Sequence, residues 1–236
     1  MGPRGAGVVG GGSVIAALVP VKALSEAKGR LAAVLTSEER RRLALAMLAD
    51  VVTALLGAAS IAYIAIISPD KAVLKEAERL RARPLPEPPQ VRGINAALSY
   101  GASLLAKEGA DTILVVPGDL PTITAAAVEA VLASLPSPRG VAIVPSAEGG
   151  TNVLALRPPD AIPFRFGPKS FTAHRREAVA RAVPTTVVRR EELTTDIDSP
   201  QDLLRVPQAP GAENTKRLLQ DLSLPGRLGA GQEGGA

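Results

Sequence analysis

Three carboxylates in two short segments, together with a cation-rich loop, are the chemistry on offer in this chain of 236 residues. In VVPGDLP an apolar run delivers Asp119 at its end, with Gly118 before it and Pro121 beyond, so a carboxylate can sit at the rim of a sheet. The ordinary alternative is an Asp that caps the next helix. Far downstream, TTDIDSPQDL supplies Asp196 and Asp198 two positions apart. In an extended segment these face one side and can approach one cation. Capping competes here too, because Asp198 or Ser199 before Pro200 is a good helix start.

PVKALSEAKGRL places Lys22, Lys28 and Arg30 within nine residues, enough for several cations to converge on phosphates. The alternative is a solvated basic loop. Neither GxxxxGK[ST] nor GxGxxG is present. In GGTN, glycines ahead of Thr151 allow close backbone approach, and the Thr151 hydroxyl and Asn152 amide can donate to phosphate or carboxylate oxygens. In FRFGPKSF, Gly167 can close on an anion and Ser170 can open a helix whose amino end holds phosphate. Each is also explicable as an ordinary turn, but together, in apolar surroundings, they suggest a site.

The elements that must position these residues alternate. Strands are predicted at Val14–Val19, Ile61–Ile67, Ile113–Val116, Val141–Val144, within NVLALRP and at Thr186–Arg189. Helices are predicted over Ser37–Leu56, from Pro69 to about Arg81, and over Gly93–Lys107, Thr124–Ser134 and Thr172–Val183, with short ones after DIDSPQDL and near Thr215–Leu222. RPLPEPPQ reads as a Pro-rich loop. This alternation predicts an α/β fold with a doubly wound, mostly parallel sheet, whose ligands bind beyond the carboxyl ends of the strands where strand order reverses. Residues 13–206 are expected to form a single domain, 1–12 a flexible extension, and 207–236 a short helix and loose tail.

Composition narrows the chemistry. With no Cys and one histidine, His174, thiolate and His-built zinc chemistry are excluded within one chain. A metal must be held by oxygens, which favours Mg²⁺ or a similar hard cation. The formal charge of +4 is spread along the chain, and two Tyr and three Phe offer little to stack on bases, so a small anionic ligand is expected rather than nucleic acid. No apolar run is long enough to span a membrane, and a cytoplasmic location is expected. His174 is expected either to support the site from behind or to lie on a helix surface, rather than to catalyse.

Taken in order, VPVKALSEAKGRL, GINAAL, VVPGDLP, GGTNVLALRP, FRFGPKSFTAH and DIDSPQDL resemble the CofC-like guanylyltransferases of coenzyme F420 biosynthesis, from about Ile15 to Leu204. That resemblance implies a nucleotide-diphospho-sugar transferase type fold. It also implies transfer of GMP from GTP to a three-carbon phosphorylated acid, 2-phospho-L-lactate or phosphoenolpyruvate, or 3-phosphoglycerate in some members, with Mg²⁺ and usually as a homodimer. By the same resemblance, Asp119, Asp196 and Asp198 are metal-binding acids, and Thr151, Gly167 and Ser170 contact the acceptor. Lys22, Lys28 and Arg30 meet the GTP phosphates, with Lys28, Arg30 and Asp119 as the catalytic set. Gly29 departs from the pattern, since many relatives carry Ser or Thr there. The rival readings are a molybdopterin or sugar-phosphate nucleotidyltransferase, and a GTP-binding regulatory protein without chemistry.

Overall fold

A computed structural model describes residues 13–194 and 196–224; the extension expected at 1–12 and the last part of the tail lie outside them. The chain runs β1 (Ile15–Pro20), α1 (Ser37–Leu56), β2 (Ile61–Ser68), α2 (Lys71–Arg79), β3 (Arg83–Pro86) and α3 (Ile94–Lys107). It continues through β4 (Thr112–Val115), α4 (Ala125–Ala133), β5 (Gly140–Pro145), β6 (Thr151–Arg157) and α5 (Ser170–Ala180). β7 (Thr185–Val187), α6 (Pro200–Leu203) and α7 (Glu213–Asp221) complete it.

The seven strands form one sheet in the order β3-β2-β1-β4-β6-β5-β7. Among the described residues β6 alone runs against the others, antiparallel to both β4 and β5. From β1 the chain first winds outward to β2 and β3, then returns to place β4 on the other side of β1. The point of reversal therefore lies between β1 and β4, where the loops bearing Lys28 and Asp119 emerge side by side.

Strand residues alternate between two apolar layers, as the two-residue period requires. Ile15, Ala17 and Val19 face the layer built from α1, α2 and α4. Ala16 and Leu18 face the layer built from α3 and α5. A third apolar cluster gathers Leu31 and Leu35 from the loop after β1, Leu43 and Met47 from α1, Ile197, and Leu218 and Leu219 from α7.

Local signals set the helix starts. Thr36 caps α1 by accepting from the Glu39 N–H at 3.2 Å, and Glu39 returns the bond to the Thr36 N–H, one residue before the Ser37 start expected from the sequence. Thr124 caps α4, and Ser199 caps α6 with Asp202 returning the bond.

RPLPEPPQ corrects the loop expectation, because Arg83–Pro86 is the edge strand β3, parallel to β2. The Glu87 N–H donates to the Ser68 carbonyl at 3.1 Å. By strand alternation Pro84 and Pro86 then point away from β2, where a missing N–H costs nothing. The periodic signal failed because an edge strand of four residues needs no apolar alternation.

Candidate functional site

Lys28 is the centre of the site. Its ammonium donates to Asp119 Oδ2 at 2.8 Å and to Asp198 Oδ1 at 2.9 Å, bridging residues 91 and 170 positions away. Its side chain is only 6% exposed. Burial works against the charge, but the two carboxylates outweigh it and leave the Lys28 pKa above its ordinary value, so the ammonium persists at any physiological pH. Lys28 also has φ 52°, ψ 44°, a left-handed conformation that non-glycine residues adopt at a cost.

The carboxylates are brought together by the backbone. Ile197 N–H donates to the Asp119 carbonyl at 3.4 Å, laying the Asp196–Asp198 segment beside the loop after β4. Thr122 Oγ donates to the Glu192 carbonyl at 3.0 Å, and the Asn152 amide donates to the Leu193 carbonyl at 2.9 Å. That bond engages the Asn152 amide in pinning this segment, in place of the phosphate contact read from GGTN. Gly118 leaves little room for a side chain, since a Cβ there would meet the Val21 side chain at 3.0 Å and push it aside. At Gly29 an added Cβ would meet nothing, so the departure at that position is not sterically enforced.

Asp196 is pushed above the ordinary carboxylate range, first by burial and then by the charges of Asp119 and Asp198, with Lys28 pulling the other way. Three acids against one buried ammonium leave the cluster short of positive charge, and its donors are hard oxygens. These residues suit a divalent cation such as Mg²⁺. Among the described residues, no three acidic or imidazole groups stand so placed that they could hold a metal ion by themselves. A cation here would share its coordination with ligand oxygens, as Mg²⁺ commonly does.

Beside this cluster opens a cavity of about 620 Å³, with Lys22, Lys28, Arg30, Asp119 and Asp198 on its wall. The sequence reading missed another part of that wall, Glu87 just after β3 and Gly93, Ile94 and Ala97 at the start of α3. The GINAAL segment had pointed there without a role.

Thr151, Gly167 and Ser170 form a second group, apart from that cavity wall. Ser170 N–H donates to the Gly167 carbonyl at 3.1 Å, and Gly167 has φ +133°, a conformation open to glycine. Leu154 of β6 lies opposite Val115 at the end of β4. Thr151, three residues earlier in an antiparallel strand, therefore projects past the β4 end toward the rim where Asp119 sits.

His174 holds this group together from within. It is fully buried, and its Nε2 accepts the Arg165 N–H at 2.9 Å. A backbone N–H can only donate, so the proton of the neutral ring is on Nδ1, which donates to Thr151 Oγ at 3.0 Å. The Thr151 hydroxyl, on a buried side chain, therefore keeps its own hydrogen for another acceptor. Burial, then Arg165, pushes the His174 pKa down to about 4, which fixes the neutral form at physiological pH. Of the two expectations for this histidine, a helix-surface position is corrected by its full burial, and its bonds tie Thr151 to the loop at Arg165.

With the geometry described, the comparisons decide the family. The profile of "Guanylyl transferase CofC like" matches residues 15–230. The chain belongs to that family. It is 45% identical to the phosphoenolpyruvate guanylyltransferase of Sphaerobacter thermophilus, over 79% of this chain and 89% of that one. It is 44% identical to the phosphoenolpyruvate guanylyltransferase of Rubrobacter xylanophilus, over 85% and 97%. In fold it is similar to a protein described as a nucleotide-diphospho-sugar transferase from Desulfovibrio desulfuricans G20, with a TM-score of 0.72 and 17% identity over 90% and 96% of the two chains. The nucleotidyltransferase fold expected from the sequence is thus the fold observed, and the chain is an enzyme of the guanylyl transferase kind. Among the described residues no helix is long and apolar enough to cross a membrane.

Proposed function

We propose that this chain transfers GMP from GTP to the phosphate of phosphoenolpyruvate or 2-phospho-L-lactate, releasing diphosphate, as a step of coenzyme F420 biosynthesis. The observation that carries this reading is the Lys28 bridge to Asp119 and Asp198 beside a cavity large enough for a nucleotide. The relatives' names make phosphoenolpyruvate the first acceptor to test.

An oxygen of the acceptor's phosphate attacks the α-phosphorus of GTP. One P–O bond forms there and the P–O bond to the diphosphate breaks. The attacking phosphate is largely dianionic near neutral pH, its second pKa being about 6, so no general base is needed. What the site must supply is alignment of two anions and relief of their repulsion. Lys28 keeps Asp119 and Asp198 in register and faces the phosphate chain, while Lys22 and Arg30, exposed on the cavity wall, meet the departing diphosphate. Thr151, through its free hydroxyl hydrogen, and Gly167 and Ser170 at the start of α5 hold the acceptor's carboxylate and phosphate.

Mg²⁺ would be held by Asp119, Asp196 and Asp198 and would supply neutralisation of the phosphate charge. The same reading includes a homodimer working in the cytoplasm, with no nucleic-acid or membrane partner.

The test is diphosphate release with GTP and Mg²⁺ against phosphoenolpyruvate, 2-phospho-L-lactate and 3-phosphoglycerate, repeated with ATP and CTP. Release is expected with GTP and one acceptor. Silence across the panel from folded protein would sink the proposal.

A further inference from the structure

Glu87 is a cavity residue that the phosphate chemistry does not use. It follows β3 on the wall shared with Lys28 and Asp119, and its side chain has no hydrogen-bond or ion-pair partner among the described residues. Burial raises its pKa, and Lys22 and Arg30 line the same cavity without pairing to it. Its backbone is fixed by the bond to the Ser68 carbonyl. Pro86 and Pro88 on either side restrict the backbone further, so the chain that carries the carboxylate is held in place.

Position decides what such a carboxylate can meet. Neighbouring strands lie about 4.8 Å apart, which puts β3 roughly 10 Å from β1 and roughly 14 Å from β4. The reacting phosphorus belongs between β1 and β4, where Lys28 bridges the two acids. The ribose is joined directly to that phosphate and lies close to it, while the base extends further toward β3. Leu24, Pro69, Ile94 and Ala97 also line the cavity and suit the flat apolar faces of a purine.

We infer that Glu87 reads the guanine of the nucleotide, accepting from its N1–H and its 2-amino group. Adenine presents a lone pair at N1 and no 2-amino group, so the same carboxylate rejects it. This rests on the guanylyl-transfer reading and names the residue that gives that reading its base preference.

The experiment is equilibrium binding of GTP, ITP, XTP and ATP to wild type and Glu87→Gln, with diphosphate release followed in parallel. Wild type is expected to prefer GTP to ITP and ATP. Loss of a charge-assisted pair should weaken GTP binding about 10- to 100-fold in Glu87→Gln and bring the GTP to ITP ratio toward one. XTP binding should improve, because the new amide N–H meets the 2-carbonyl of xanthine. That gain cannot come from misfolding. An unchanged GTP to ITP ratio in the variant overturns the inference, as does a penalty that vanishes when 2′- or 3′-deoxy-GTP replaces GTP, since that would place Glu87 at the ribose. Guanine-selective binding lost in Glu87→Gln, without diphosphate release by wild type, would sink the reaction and leave the role of Glu87 standing.

Discussion

Asp50 provides the sharpest test of how the fold holds the site. It is 5% exposed in the middle of α1. One oxygen accepts from the Asn214 N–H at 2.8 Å and the Asn214 amide at 2.9 Å; the other accepts from the Thr215 N–H at 2.9 Å and hydroxyl at 2.6 Å. Ala212, which precedes α7, makes no side-chain capping bond, so Asp50 caps α7 from another helix. Replacing it by Asn keeps the shape, removes the charge from the α7 amino end and turns an N–H₂ group toward the Thr215 donors. The charge at a helix start is worth about 0.5–2 kcal/mol in a partly buried setting, and an unsatisfied buried donor costs about 1–3 kcal/mol. The sum, about 1.5–5 kcal/mol, is a large part of a typical stability of about 5–15 kcal/mol. The fold should survive while α7 detaches locally. Leu218 and Leu219 of α7 share an apolar cluster with Ile197 and Leu31, which flank the site acids and follow Lys28. Turnover should therefore fall as well, by up to about 100-fold if these groups shift by 1 Å. Urea unfolding gives the stability loss, and hydrogen exchange over residues 213–221 gives the detachment. A loss below about 0.5 kcal/mol, the usual range for a surface change, with α7 still protected, would refute the capping role.

Three further outcomes are expected. Lys28→Met removes the cation between Asp119 and Asp198, so turnover should drop while the Mg²⁺ concentration for half-maximal rate falls by about tenfold or more, given about 1–4 kcal/mol per unit charge at 4 Å in water to protein-surface surroundings; an unchanged Mg²⁺ requirement would show that the ammonium does not compete with the metal. Asp119→Asn should lower turnover chiefly, and an unchanged rate at saturating Mg²⁺ would remove Asp119 from the reaction. His174 has a folded pKa of about 4, below the unfolded value of about 6.5. Its contribution to stability is therefore complete above about pH 6.5 and is lost as the pH falls toward 4, by about 3 kcal/mol at most. As the only histidine, it gives a single imidazole signal by NMR. Titration of that signal in the folded protein near pH 6.5 would contradict the buried neutral ring.

The sequence by itself determined the alternation of strands and helices, because their apolar periods differ and their caps are local. It also marked the places where the site's acids and cations leave the sheet. Asp119 was legible because it stands beside Gly118 at the end of an apolar strand, Lys28 because it lies in a short cation-rich loop, and Asp198 because it is paired with Asp196 two positions away. Which charges meet was decided only in three dimensions, since Lys28 reaches acids 91 and 170 residues away. β3 was hidden because edge strands tolerate proline. Glu87 was hidden with it, and a lone acid in a proline-rich stretch carries no signal until the strand order places it on the cavity wall. Asp50 carried no signal in the middle of a helix, and only the docking of α7 made it a cap. Asn152 went the other way, its amide consumed by a carbonyl that the sequence could not place beside it. Local propensity acts over a few residues, whereas burial and charge pairing depend on which distant segments the sheet brings together.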